Sequence, residues 1–374
     1  MACLGGGFII ILLNALLAVA VTATTASGTC GFPAVFNFGT RTPTLGPVGG
    51  IRAGPAPEWG ELLGRPMGRY CDGRVVVDFI AHKLGLPYLN AYLDSVGSNF
   101  SHGANFATAG STIRPQNTTL SQSGFSPISL DVQSWQFAQF VTRSQFAAKV
   151  NGVFNGLLPK EEYFSQALYT FDIGQNDLTA GYFSNMTTEE VKASIPDILN
   201  QFTAVIQSVY GQGGRYFWIH NTGPFGCLPY VLERVPLKAP DVDRHGCGTP
   251  FNGVAQLFNE KLKETVAQLR RDLPSPSSPT STSTPSRFER PLVACCGHGG
   301  KYNYNAKYGC GSMKTTANGT AVLVGGSCKD PRKRIIWDGV HYTQAANKYV
   351  FEQIVGGKFS DSGVPLKLAC QTKL

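Results

Sequence analysis

Three short apolar runs, set between longer stretches of helical periodicity, constrain this chain's fold more than any other feature. Pro33-Ala34-Val35-Phe36-Asn37-Phe38 ends at Gly39. Ala167-Leu168-Tyr169-Thr170-Phe171-Asp172-Ile173 breaks at Gly174. Tyr216-Phe217-Trp218-Ile219-His220 ends in Asn221-Thr222-Gly223-Pro224. Each reads as a buried strand closed by a turn. Helices are expected over Asp78 to Leu84, closed by Gly85 and Pro87, over Glu189 to Tyr210 with Thr187 or Thr188 as cap, over Asn252 to Leu273, and over Thr343 to Val355. The small-residue segment Asn105 to Ile113 reads as a strand entering a glycine turn. Strands alternating with helices imply βαβ units and a parallel sheet. Ligands of such sheets bind beyond the carboxyl ends of the strands. The polar clusters after Phe38, Ile173 and His220 should therefore share one edge.

Composition agrees with a packed enzyme-sized body. With 43% hydrophobic and 15% charged residues the chain can fill a large core, which excludes a disordered polymer. Its 43 glycines and 23 prolines show no three-residue period, which excludes collagen. No internal repeat is present. The formal charge of +8 is scattered, apart from Lys329-Asp330-Pro331-Arg332-Lys333-Arg334, which reads as a solvated loop. No basic stripe interleaved with aromatics and no zinc-knuckle spacing occurs, so no nucleic-acid partner is expected.

The one long apolar run, Phe8 to Ala23, stands at the start and is followed by small residues, Thr22 to Ser27. It reads as a signal peptide over residues 1–26, cleaved between Ala20 and Ser27. The rival is a signal anchor, for which the run is short. No second run could span a bilayer, so no stable membrane insertion is expected. Four sequons, at Asn99, Asn117, Asn185 and Asn318, fit a secreted glycoprotein of the extracellular space or cell wall. Removing Cys3 with the leader leaves nine of ten cysteines. In an oxidising compartment these pair, with at least one left over. Zinc is the alternative for Cys295-Cys296, although adjacent cysteines seldom share one metal.

Asp338-Gly339-Val340-His341 puts a carboxylate and an imidazole three residues apart, at the opening of the last helix. Such a pair can hold His341 in one tautomer and make it a general base. Asn176, in Gly174-Gln175-Asn176-Asp177 after a buried strand, can donate to a developing oxyanion, and so can the backbone N–H of Gly110 at its turn. The bland alternatives are that Asn176 caps a helix and that Gly110 merely permits a turn.

With these residues in place, the chain resembles the plant GDSL esterases/lipases of the SGNH hydrolase superfamily, especially the early-nodule-specific-protein-like esterases. The matching stretches are Phe32 to Gly39, Gly68 to Ser144, Ala167 to Asp177, His220 to Pro229, Leu292 to Tyr304 and Trp337 to Asn347. The resemblance implies a three-layer α/β/α sandwich, flavodoxin-like, around a mainly parallel five-stranded sheet. It implies hydrolysis of carboxylic esters by a Ser-His-Asp triad without cofactor or metal. The substrates would be small-molecule, lipid or polysaccharide esters. Carried over, Gly110 and Asn176 are oxyanion donors, Asp338 the orienter and His341 the base. Residues 27–374 form one domain. Disulfide connectivity is open, with Cys227 to Cys247 as the expected pair.

The sequence departs from the family at the nucleophile. The family block runs F-G-D-S-N/D-S-D-T-G, whereas here Phe38-Gly39 is followed by Thr40-Arg41-Thr42-Pro43-Thr44-Leu45-Gly46. Arg41 stands at the serine position, and an arginine cannot be deprotonated to attack a carbonyl. The genetic code suggests the origin. Thr40 to Gly46 can be encoded ACT CGG ACT CCG ACA CTG GGN. With one leading G, the shifted frame reads D-S-D-S-D-T-G, the family block. Thr280-Ser281-Thr282-Ser283-Thr284-Pro285 behaves alike: ACG TCG ACG TCT ACT CCN after a leading T reads Y-V-D-V-Y-S, a strand of the kind the family has there. Segments 40–64 and 274–290 therefore read as frame-shifted versions of a functional ancestor, through damage to the gene or indels in the sequence.

Overall fold

The computed structural model describes residues 31–40, 69–94, 97–115, 126–150, 152, 154–273 and 288–370. The apolar runs form β1 (Val35–Gly39), β3 (Leu168–Asp172) and β4 (Tyr216–Ile219); the strand expected in Asn105 to Ile113 is instead β2 (Gly103–Asn105), which ends where that segment begins and leaves the rest of it as loop. They pair in parallel in the order β2-β1-β3-β4. The helices are α1 (Val76–Lys83), α2 (Leu130–Val150), α3 (Tyr163–Gln166), α4 (Gln175–Phe183), α5 (Thr188–Ala193), α6 (Ile195–Gly211), α7 (Pro229–Arg234), α8 (Thr249–Asp272) and α9 (Gln344–Ile354). An antiparallel hairpin, β5 (Met313–Thr315) with β6 (Ala321–Leu323), stands apart from the sheet.

Strand alternation builds the three layers. Phe36, Phe38, Tyr169, Phe171, Phe217 and Ile219 share a cluster with Phe137 and Phe140 of α2, Phe202 of α6 and Phe258 of α8. Val35, Leu168 and Trp218 pack on the opposite face with Val77 and Ile80 of α1 and Ile354 of α9. That second face also holds a polar rung. Asn37 pairs in register with Asn105 on one side and Thr170 on the other. Its amide donates to Asn105 Oδ1 at 2.8 Å, and its Oδ1 accepts from Thr170 Oγ1 at 2.6 Å. A buried polar group unpaired in such a core costs about 1–3 kcal/mol, so this rung favours one strand register over its slips.

The expected α/β/α sandwich with a parallel sheet is therefore the fold, with one correction: among the described residues that sheet has four strands, not five. The fifth was expected where the Ser/Pro/Thr tract stands, and residues 274–287 lie outside the described residues. Proline lacks the N–H that a ladder needs, and serine and threonine bury little apolar area. Among the described residues β4 pairs with β3 alone.

Local corrections have local causes. The single helix expected over Glu189 to Tyr210 is two, α5 and α6, because Pro196 enters at the start of α6. Thr187 is the cap of α5, reciprocated by Glu190, whose Oε2 accepts the Thr187 N–H at 2.7 Å. The adjacent Cys295 and Cys296 bond to different partners, Cys328 and Cys310, so zinc does not hold them. Cys227 bonds to Cys247 as expected. Cys370 is also in a disulfide, and Cys71 is a free, buried thiol. The basic run 329–334 is a loop in which Arg332 pairs with Asp330 and Lys333 with Glu289. No helix among the described residues is long and apolar enough to cross a membrane.

Candidate active site

β1 ends at Gly39, whose φ is +121°. A Cβ there would stand 2.2 Å from the Asp172 carbonyl oxygen, so only glycine allows β1 and β3 to run this close at their carboxyl ends. The side-chain amide of Gln133, on α2, clamps this glycine from both sides. Its Oε1 accepts the Gly39 N–H at 2.8 Å and its Nε2 donates to the Gly39 carbonyl at 3.1 Å and to Ser111 Oγ at 3.0 Å. The next residue, Thr40, donates its N–H to the Asp172 carbonyl at 3.0 Å and is buried. Arg41 lies outside the described residues.

One sequence-predicted donor, Asn176, lies beside Thr40, and the other, Gly110, precedes the residue whose carbonyl Asn176 also reaches. Gly174 adopts φ +109° to turn the chain out of β3, and α4 starts at the next residue without a side-chain cap. Asn176 is therefore not a capping residue. Its Nδ2 donates to Thr40 Oγ1 and to the Ser111 carbonyl, both at 2.8 Å. Gly110 immediately precedes Ser111, has φ +74°, and its N–H makes no hydrogen bond among the described residues. Its carbonyl is engaged instead, accepting from Ser126 N at 3.0 Å. Behind this turn Asp177 accepts the Ile113 and Arg114 N–H groups at 2.8 and 3.1 Å. Burial pushes its pKa up to about 6, with those two N–H groups opposing the rise.

Asp338 and His341 form the second half. They stand just ahead of α9 rather than within it, in a turn closed by Trp337 N to His341 O at 2.7 Å and Thr343 N to Ile335 O at 2.9 Å. Thr343 then caps α9. His341 Nδ1 is 2.7 Å from Asp338 Oδ2, while Asp338 Oδ1 accepts the Val340 and His341 N–H groups at 3.0 and 2.8 Å. Burial works against the Asp338 carboxylate. The imidazole and the two backbone donors outweigh it and hold its pKa below the ordinary value. An ionised Asp338 favours the proton on Nδ1 and leaves Nε2 able to accept one. Gly339 is obligatory here, since a Cβ would stand 2.3 Å from the Tyr304 ring.

Residues that sequence reasoning missed complete the surroundings. Tyr70 stacks on the His341 ring with centroids 5.1 Å apart, its hydroxyl pushed up to about 12 by burial and by the Asp338 charge. Asp72 Oδ1 accepts the Gln344 N–H at 2.6 Å, and Gln344 Oε1 accepts Arg74 N at 2.8 Å, so residues 69–74 clasp the start of α9. Tyr230 donates its N–H to the Gly339 carbonyl at 3.2 Å, and its buried phenol faces Gln175 and Thr179 of α4. It thereby spans the Asn176 and Asp338–His341 halves. No periodicity or spacing signals Gln133, Tyr70 or Tyr230. Among the described residues no cluster of His, Cys, Asp or Glu could hold a metal ion. Of the sequon asparagines, Asn99, Asn185 and Asn318 are exposed, and Asn117 lies outside the described residues.

A buried glycine-ended strand, an amide donor beside it and a carboxylate-oriented imidazole are the parts from which a hydroxyl nucleophile can be activated and an oxyanion held. Comparison with known proteins points the same way. The family model for GDSL-like lipase/acylhydrolase matches residues 19–354. A GDSL esterase/lipase, ACHE, of Zea mays is 55% identical over 362 residues, covering 93% of this chain and 91% of the relative. Alpha-L-fucosidase 3 of Arabidopsis thaliana is 54% identical over 364 residues, covering 92% and 97%. The GDSL esterase/lipase ENOD8 of Medicago truncatula is 47% identical over 360 residues, covering 93% and 92%.

Proposed function

The chain belongs to the GDSL-like lipase/acylhydrolase family, and from that membership we propose that it descends from a secreted, glycosylated hydrolase of carboxylic esters whose serine nucleophile has been lost from this sequence. The observation that carries the proposal is the 2.7 Å contact of His341 Nδ1 with the Asp338 carboxylate, which also accepts two backbone N–H groups. In the ancestral reaction the serine at position 41 attacks the ester carbonyl. His341 Nε2 takes the hydroxyl proton and returns it to the departing alcohol. Asp338 holds the tautomer and stabilises the imidazolium. The oxyanion of the tetrahedral intermediate accepts from Asn176 Nδ2 and the Gly110 N–H. Water then repeats the cycle on the acyl-enzyme. The substrate class is a small-molecule, lipid or wall-polysaccharide ester.

Arg41 favours a second reading for the literal chain: a pseudoenzyme that binds an ester or glycan without turning it over. The two are separated by comparing the literal protein with one in which residues 40–46 are rebuilt as D-S-D-S-D-T-G, using a short-chain nitrophenyl ester. Loss of a hydrolase nucleophile costs on the order of 10⁶ in turnover in serine hydrolases of another fold. The literal protein should therefore be silent and the rebuilt one active. Since one relative is named a fucosidase, a nitrophenyl fucoside belongs in the same assay. Ester turnover by the literal chain at the rebuilt chain's rate refutes the assignment of position 41. Secretion is tested by the mature N-terminus, expected between Ala20 and Ser27, and by a mass loss on glycosidase treatment.

A further inference from the structure

Helix α2 carries an apolar stripe on its solvent side. Trp135 is 62% exposed, Phe146 69% and Val150 62%, and Phe154 just beyond the helix is 60% exposed. Trp135, Phe146 and Val150 fall on one line along the helix, with the polar Gln139 and Thr142 between them. Trp135 to Val150 spans roughly 22 Å at the α-helical rise. The intervening Thr142 turns its hydroxyl back onto the Ala138 carbonyl at 3.0 Å. Monomeric soluble proteins expose single large apolar residues routinely, whereas several gathered along one edge mark an interaction face.

The charges beside the stripe indicate what docks. On a helical wheel Lys149 lies on one side of the line and Arg143 on the other, and both are exposed. The only carboxylate in α2 is Asp131, in the first turn, where the Ser129 hydroxyl is bonded to it. An apolar centre with long basic side chains on both flanks fits an anionic lipid surface. The rings sink to the acyl boundary while Lys149 and Arg143 reach the headgroups. A second copy of this chain would instead bring Lys149 and Arg143 towards another +8 surface.

We propose that the outer face of α2 is a lipid-surface docking site, selective for anionic headgroups. The same helix supplies Gln133, which clamps Gly39 at the candidate active site. Its N-terminal end thus meets the site while its outer face meets the lipid. Docking needs no catalytic chemistry, so it stands or falls independently of the ester-hydrolase reading.

The test is co-sedimentation of the full mature chain with phosphatidylcholine vesicles and with mixed phosphatidylcholine–phosphatidylglycerol vesicles. The mixed vesicles should carry the protein down, and high salt should release most of it. Removing two large apolar side chains from the contact, Trp135→Ser with Phe146→Ser, should weaken the partition by about 10²-fold. Arg143→Gln with Lys149→Gln should weaken it roughly tenfold on mixed vesicles only. With Trp59, outside the described residues, replaced by phenylalanine throughout, and with Trp218 and Trp337 buried at 2% exposure each, a blue shift of tryptophan emission on binding should vanish in Trp135→Phe, which keeps its affinity. All these side chains are exposed, so unchanged unfolding midpoints certify the variants. The proposal is overturned if neither vesicle binds or if the stripe variants bind as well as the parent. It is equally overturned if light scattering shows a dimer that Trp135→Ser with Phe146→Ser dissolves.

Discussion

Arg69 and Asp78 form an ion pair whose removal tests how the candidate site is supported. Arg69 is 4% exposed and Asp78 0%. The guanidinium meets the carboxylate as a fork, Nε to Oδ2 at 3.2 Å and Nη2 to Oδ1 at 2.8 Å, and Nη2 also reaches the Leu89 carbonyl at 3.1 Å. Asp78 Oδ2 in turn accepts the Val75 N–H at 3.0 Å, tying the start of α1 into the pair. Arg69→Met would leave a fully buried carboxylate with that one N–H for company. Breaking such a pair costs about 3–5 kcal/mol, whereas replacing both partners by apolar side chains is often neutral. Arg69→Met with Asp78→Leu should therefore recover most of the loss, short of about 1 kcal/mol for the forfeited N–H contact at the helix start. Urea unfolding followed by circular dichroism measures this. At a slope of roughly 3 kcal/mol/M, the single variant should lower the midpoint by about 1–2 M. Because residues 69–74 carry Tyr70 onto His341 and Asp72 onto Gln344, the single variant should also change the near-ultraviolet tyrosine signal. A single variant within about 1 kcal/mol of the parent, or a double variant no better than the single, would show that the pair is not paid for in the way argued.

Three further outcomes follow from the site. Burial raises Asp177 from 3.8 to about 6, so the folded protein holds that proton more tightly than the unfolded chain, and stability falls as pH rises through that window. Asp177→Asn should flatten the urea-midpoint profile there by on the order of 1–3 kcal/mol, and an unchanged slope would count against it. Gly39→Ala places a methyl against the Asp172 carbonyl in a left-handed conformation, so it should cost at least about 3 kcal/mol by thermal or urea unfolding. In the chain rebuilt over residues 40–46, Asp338→Asn should lower nitrophenyl-ester turnover by about 10⁴-fold with little change in folding, as in a serine hydrolase of another fold. Wild-type turnover in that variant would remove Asp338 from the mechanism.

Legibility in the sequence followed the physics of each element. β1, β3 and β4 could be read because strands covered on both faces are nearly continuous apolar runs. The three residues of β2 are too short to carry a pattern, and their place is set by the Asn37–Asn105 rung. Helix α2 escaped because its inward side mixes Gln133, Ser134 and Gln136 with Leu130, Phe137, Phe140 and Val141 while Trp135 and Phe146 face solvent, which blurs the usual periodicity. Asp338 and His341 were found because they are three residues apart. Gln133 and Tyr70 were not, because each acts on a partner far along the chain, 94 residues away for Gln133 and Gly39. Disulfide partners were equally nonlocal, and adjacency told only that Cys295 and Cys296 would diverge.

The framework around position 41 is assembled from groups outside the anomalous block that begins at Thr40. Gly39 is held by Gln133, Gly110 is set by its own turn, and Asp177 anchors the residues that follow it. Asp338 and His341 depend on their own backbone donors and on Tyr70. The one exception is Thr40, whose hydroxyl occupies a donor of Asn176. In the proposed mechanism the oxyanion needs that same Nδ2 hydrogen, since the other is committed to the Ser111 carbonyl. Exchanging Arg41 alone for serine would therefore supply a nucleophile while Thr40 still competed with the oxyanion for Asn176. Adding Thr40→Ala removes that competing acceptor, and ester turnover should be greater for the pair of changes than for Arg41→Ser alone. Equal turnover from the two would mean that Thr40 yields Asn176 to the oxyanion without cost.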